Sequence, residues 1–120
     1  MSTVLVVEDT LSELELISSY LRDSGYTVII ATDAKEALNK AVNQKLDAVV
    51  TDVVMPGMSG FELCRKLKKN PATGQLPIII CSSKNQEIDR FWGIKQGADV
   101  YVKKHFTREQ LVRAVKSVVA

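Results

Sequence analysis

Ala48-Val-Val-Thr-Asp-Val-Val-Met-Pro-Gly-Met-Ser-Gly-Phe-Glu62 decides the fold. Residues 48–51 are continuously apolar or β-branched, with no polar alternation, which marks a strand covered on both faces. An acid, Asp52, follows at once. Met55-Pro56-Gly57 breaks the chain into a loop. Ser59-Gly-Phe-Glu62 then has the spacing of a capping box, in which the first side chain takes an orphan N–H of the helix and the fourth reaches back. Strand, acidic loop and capped helix make one βα unit.

The same unit recurs on both sides. Strands are expected at Thr3–Val7, Thr27–Ala31, Ala48–Thr51, Ile78–Cys81 and Val100–Val102. Helices are expected near 11–23, 34–44, 60–69, 85–96 and 108–119. Leu11, Leu14, Ile17 and Leu21 recur at helical spacing in the first, and Leu111, Val115, Val118 and Val119 in the last. Thr10-Leu-Ser-Glu13, Asp33-Ala-Lys-Glu36 and Thr107-Arg-Glu-Gln110 also fit or approximate capping boxes. Gly25 and Gly97 suit the left-handed position that ends a helix. Five βα units imply an α/β fold: a five-stranded parallel sheet, doubly wound, with helices on both faces. Right-handed crossovers leave few topologies. The 120 residues are expected to form one domain, 1–120, with no repeat or linker.

Bulk properties exclude several classes. A net charge of +2 is too small to imply nucleic acid, and the KLKK run at 66–69 reads as a solvated helix face. Cys64 and Cys81 match no metal spacing and read as reduced thiols, Cys81 as a small buried hydrophobe. MSTVLVV has no basic start and no long apolar stretch. No run approaches the roughly 20 apolar residues of a membrane span. A cytoplasmic protein that binds neither membrane nor nucleic acid is expected.

Chemistry gathers where strands end. Glu8 and Asp9 follow the first strand, Asp52 the third, Ser82 the fourth and Lys104 the fifth. A parallel sheet with suitable strand order brings all five to its carboxyl edge, where ligands bind in open α/β sheets. Singly each has an ordinary explanation: Glu8 and Asp9 complement the positive end of a helix, and a polar residue after a strand is commonplace. Together, carboxylates beside a lysine suit a divalent cation and a phosphoryl group.

These residues, with Met55-Pro56 and Gly60, Ser82-Ser83, Gly97-Ala98-Asp99 and Tyr101-Val-Lys-Lys104-His-Phe106, make the chain resemble the CheY-like receiver domain of two-component response regulators along essentially its whole length. The resemblance implies a flavodoxin-like fold and a phosphoprotein. Asp52 would be the phosphoacceptor. Glu8, Asp9, Asp52 and the Val54 backbone carbonyl would hold Mg²⁺, which takes oxygen ligands and keeps several waters. Ser82 and Lys104 would contact the phosphoryl group. Asp52 would act as a carboxylate nucleophile, in a transfer that depends on positioning and charge neutralisation. Ser82 moving towards the new charge would vacate space that Tyr101 fills, remodelling a surface across residues 85–119.

One departure stands out. The family usually has proline after the lysine, with a cis bond between them; here the residue is His105. A cis bond without proline costs about 2.5–4 kcal/mol. Either the bond is trans and Lys104 is re-aimed, or the site tolerates the cost; weaker or slower engagement of Lys104 is expected. Serine at 82 in place of the commoner threonine is freer at χ1 and suggests a looser switch. At least one of Phe91 and Trp92 is expected to be exposed, since neighbouring helical residues point about 100° apart. Residues 83–97 further resemble receivers of type IV pilus, twitching-motility and phototaxis systems.

The expected function is a stand-alone response regulator. A histidine kinase or histidine phosphotransfer domain would dock over the Asp52 edge against the first helix, and an output protein would bind residues 85–119. The chain would be a monomer or weak dimer. Only self-phosphorylation and slow self-dephosphorylation are expected of it as catalysis. Phosphohydrolases with an aspartyl-phosphate intermediate carry a second aspartate two residues on, where Val54 stands. A degenerate receiver acting as a scaffold is the other alternative, against which the acidic and lysine positions are all filled.

Overall fold

The computed structural model describes residues 2–84 and 86–119. In chain order it comprises β1 (Thr3–Val7), α1 (Leu11–Asp23), β2 (Thr27–Ala31), α2 (Ala34–Asn43), β3 (Ala48–Thr51), α3 (Gly60–Lys69), β4 (Ile78–Ser82), α4 (Glu87–Lys95), β5 (Val100–Lys103) and α5 (Arg108–Lys116). The strands form one parallel sheet in the order β2-β1-β3-β4-β5. The doubly wound α/β expectation is met, and every expected strand and helix is present. The fourth helix was expected from residue 85; Asn85 lies outside the described residues, and α4 begins at Glu87.

Side-chain alternation along the strands divides the core in two. Val4, Val6, Val50, Ile79 and Cys81 face Leu14, Ile17 and Leu21 of α1 and Leu111 and Val115 of α5. Leu5, Val7, Val49, Ile78 and Ile80 face α2 and α3, where Ala34, Ala37, Leu63, Cys64 and Leu67 pack. Each large side chain so covered contributes about 1.5–3 kcal/mol relative to exposure. Both cysteines are buried and free. Burial pushes their thiols up, that of Cys64 to about 11.

Leu11 departs from the expected apolar stripe and is 68% exposed. It opens α1 at the rim of the sheet, where no second layer covers it. In α4 only Gly93 is buried; Ile88, Phe91, Trp92 and Ile94 are all exposed. Lys66 and Lys69 lie on a solvated face as expected, while Lys68 bends back to the Leu76 carbonyl at 3.0 Å.

Three of the four capping boxes behave as their spacing predicts at the N-cap. Asp33, Ser59 and Thr107 each accept the N–H of the residue three positions on, and Gln110 returns to the Thr107 N–H. The fourth, at α1, does not form: the Thr10 side chain makes no capping bond. Gly25 and Gly97 adopt φ of 94° and 112°, the left-handed positions expected of them.

Candidate functional site

The strand order reverses across β1, whose neighbours are β2 and β3. Such a switch point opens a crevice at the carboxyl ends of the strands. Val7 pairs with Thr51, so the residues that follow them, Glu8 and Asp52, emerge side by side. The Asp52 N–H donates to the Val7 carbonyl at 3.2 Å. Ser82 pairs with Lys103, and the Lys104 N–H donates to the Ser82 carbonyl at 2.9 Å, which continues the ladder and delivers Lys104 to the same edge.

The Lys104 ammonium is the centre of the cluster. Its Nζ lies 2.8 Å from Glu8 Oε1, 2.9 Å from Glu13 Oε2 and 3.3 Å from Asp52 Oδ2. Burial alone would lower its pKa, but the hydrogen bonds to Glu8 and Glu13 and the charge of Asp52 outweigh that and push it above the usual lysine range. Glu8 is only 1% exposed. Burial raises its carboxyl to about 7, against the opposing hydrogen bonds from Lys104 and the Thr10 N–H. Asp52 keeps its other oxygen on the Val53 N–H at 2.7 Å, which fixes the carboxylate plane.

The sequence-derived residues divide into two groups. Glu8, Asp52 and Lys104 converge on one point. Ser82 is fully buried at the end of β4, its hydroxyl accepting the Lys84 N–H at 3.1 Å. Asp9 is exposed and is not among the three carboxylates, Glu8, Glu13 and Asp52, whose oxygens lie within 4.8 Å of one another. Val54 is 58% exposed in the loop beyond Asp52. Tyr101 is 6% exposed, its ring turned inward and its hydroxyl donating to the Lys84 carbonyl. Burial pushes its phenol up, with the Ser82 hydroxyl opposing.

Two expectations are corrected. Of the two alternatives left open the Lys104–His105 peptide takes the cis one, and against the weaker engagement expected of Lys104, three carboxylates draw its ammonium into the crevice, within reach of Asp52. Glu13, expected to complete a helix cap, joins the site instead. Its position in the first turn of the helix that starts at the crevice was the available signal, since such a side chain can turn either to the cap or to the edge. His105 is exposed and belongs to no metal-ligand cluster among the described residues.

The donor set suits a hard dication. Of the expected ligands, Glu8 and Asp52 offer carboxylate oxygens at this edge, the donor type that Mg²⁺ prefers, while Glu13 is turned to the Lys104 ammonium.

Known proteins place this geometry. The family model described as the response regulator receiver domain matches residues 4–116. Protein PilH of Pseudomonas aeruginosa is 35% identical over 120 residues, covering 100% of this chain and 99% of that protein. The alkaline phosphatase synthesis transcriptional regulatory protein PhoP of Bacillus subtilis is 37% identical over 96% of the chain, which spans only 47% of PhoP. Among solved structures, the chemotaxis protein CheY4 of Vibrio cholerae superposes with a TM-score of 0.93 at 32% identity, covering 99% of both chains. The receiver domain of the sensor histidine kinase PA1611 of Pseudomonas aeruginosa, with a magnesium ion coordinated in its active-site cleft, superposes with a TM-score of 0.90 at 27% identity over 98% of this chain and 96% of that one. The chain therefore belongs to the response regulator receiver domain family, the CheY-like phosphorelay modules of two-component systems.

Proposed function

We propose that Asp52 is the residue phosphorylated, and that the chain works in the cytoplasm as a single-domain regulator, as its 99% coverage of PilH supports. The observation that carries the assignment is the ion pair between the Lys104 ammonium and Asp52 Oδ2 at the switch-point edge. An Asp52 oxygen attacks phosphorus, the bond from phosphorus to the donor's histidine nitrogen breaks, and an acyl phosphate results. Lys104 supplies a point charge to the non-bridging oxygens, and the N–H of Val53 holds the nucleophile in place. Glu8, Asp9, Asp52 and the Val54 carbonyl would hold Mg²⁺, which neutralises charge on the transferring group.

Phosphorylation would draw the Ser82 hydroxyl towards the new anion and favour the inward position that Tyr101 already occupies. Ile88, Phe91 and Trp92 of α4, exposed next to that ring's strand, supply an apolar output surface for a partner. Exposed Leu11 and Leu16 on α1 suit docking of a histidine kinase or phosphotransfer domain over the Asp52 edge. Resemblance to PilH and to a chemotaxis protein favours a role in motility or taxis.

Intact-protein mass spectrometry after incubation with acetyl phosphate tests the assignment. One added phosphoryl group that requires both Asp52 and Mg²⁺ is the expected result. Equal modification of Asp52→Asn, or modification indifferent to Mg²⁺, would refute it.

A further inference from the structure

We propose that Glu13 is a positioning residue that competes with the incoming phosphoryl group for Lys104 and so slows phosphoryl uptake. This rests on Asp52 being the acceptor. A lysine ammonium has three donors. Here all three are engaged, by Glu8, Glu13 and Asp52. The longest of these contacts, 3.3 Å, is the one to Asp52. A phosphoryl oxygen can gain the ammonium only if a carboxylate gives it up. The Glu8 side chain is 1% exposed and hemmed in, whereas that of Glu13 is 32% exposed and can swing to water.

Local structure shows that Glu13 has been released for this contact. The Thr10-Leu-Ser-Glu13 spacing predicts that Glu13 should accept the Thr10 N–H. Glu8 Oε2 accepts that N–H instead, at 3.2 Å. Glu13 reaches across to a lysine 91 positions away. Its capping duty is carried by a residue of the site, and its charge is spent on Lys104.

The reaction to follow is transfer from acetyl phosphate. An Asp52 oxygen bonds to phosphorus, the phosphorus–oxygen bond to acetate breaks, and acetate leaves with the electron pair. Initial rates are measured by mass spectrometry at saturating Mg²⁺ for wild type, Glu13→Gln and Glu15→Gln. Glu15 is exposed on the same helix and makes no contact with Lys104, so its variant removes the same charge without the clamp. Glu13→Gln is expected to be about fivefold faster, the rate equivalent of one partly exposed ion pair. The gain should shrink with added salt, as screening predicts. Glu15→Gln should match wild type.

Two further readouts separate positioning from other roles. The nitrogen-15 ammonium signal of Lys104 should lose protection from solvent exchange in Glu13→Gln and keep it in Glu15→Gln. Mg²⁺ affinity, by calorimetry, should change by less than about threefold, because a lost carboxylate ligand costs far more. A Glu13→Gln rate at or below wild type overturns the proposal, as does a tenfold or greater loss of Mg²⁺ affinity, about 1.4 kcal/mol. If wild type is phosphorylated at Asp52 and the two variants behave alike, only the role of Glu13 falls. A wild type that takes up no phosphoryl group overturns the acceptor assignment, and this proposal with it.

Discussion

Gly60→Ala tests how tightly α3 is built against the phosphoacceptor loop. A Cβ at position 60 would stand 1.9 Å from the Asp52 carbonyl oxygen, 2.8 Å from its carbon and 3.0 Å from Val53 Cα. All three are backbone atoms, so no side chain can rotate away. The Gly60 N–H donates to the Val53 carbonyl at 2.9 Å, and Thr51 Oγ1 donates to the Asp52 carbonyl at 2.9 Å, which pins both sides of the contact. Relief requires the start of α3 and the Asp52 loop to separate by about 1 Å or more to restore van der Waals distance. Overpacking of this kind costs about 1–3 kcal/mol, and a backbone clash belongs at the upper end. Alanine recovers at most about 1 kcal/mol in helix propensity. The expected net loss is about 2 kcal/mol, which for a domain of this size lowers Tm by roughly 6–12 °C. Urea and thermal melts measure it. Because the displaced peptide carries Asp52 itself, the initial rate of phosphorylation by acetyl phosphate should fall as well. A variant within about 0.5 kcal/mol of wild type, the usual range of harmless surface changes, and phosphorylated at the wild-type rate would refute the reasoning.

Other perturbations probe separate parts of the molecule. In Gly93→Ala the new Cβ would lie 2.9 Å from Tyr101 Cδ2, so the ring should leave its inward position at a cost of about 1–2 kcal/mol; a crystal structure with Tyr101 still on the Lys84 carbonyl would contradict this. Thr73→Val removes a buried donor from the Leu67 carbonyl, bonded at 2.6 Å, and should cost about 1–3 kcal/mol in the urea midpoint; a loss indistinguishable from zero would mean that the carbonyl finds another donor. The carboxyl of Glu8 is held up near 7 from its ordinary 4.5, so the folded chain binds this proton more tightly than the unfolded one. The stability contributed by that group is complete below pH 4.5 and is lost as pH rises through about 7. In Mg²⁺-free buffer, Glu8→Gln should therefore gain on wild type across that interval, and parallel stability curves from pH 4 to 8 would exclude the effect.

Much of the fold was legible because its signals are local. A continuous apolar run such as Val4–Val7 and a cap such as Ser59 are read from a few neighbouring residues, and β1, β2 and β3 fall where their patterns predict. The chemistry was legible too, since Glu8, Asp52, Ser82 and Lys104 each terminate a strand, and parallel strands end at one edge. What the pattern of apolar residues carries is which positions are covered, and not which strand lies beside which. Only the tertiary structure, through the order β2-β1-β3-β4-β5, sets Glu8 against Asp52 and Lys104 beside Ser82.

The same limit explains what was missed. Glu13 has the spacing of a helix cap, and nothing within its own turn says that a lysine 91 positions away will take it. Leu11 has the spacing of a core residue, yet the sheet ends before it can be covered. The inward ring of Tyr101 depends on the space that Gly93 leaves in α4. By itself the sequence determined the βα alternation, the caps at α2, α3 and α5 and the residue types at the crevice, because those rest on short-range periodicity and backbone hydrogen bonding. Tertiary structure decided how one buried ammonium is shared among three carboxylates, because charges compete over distances in space that chain separation does not encode.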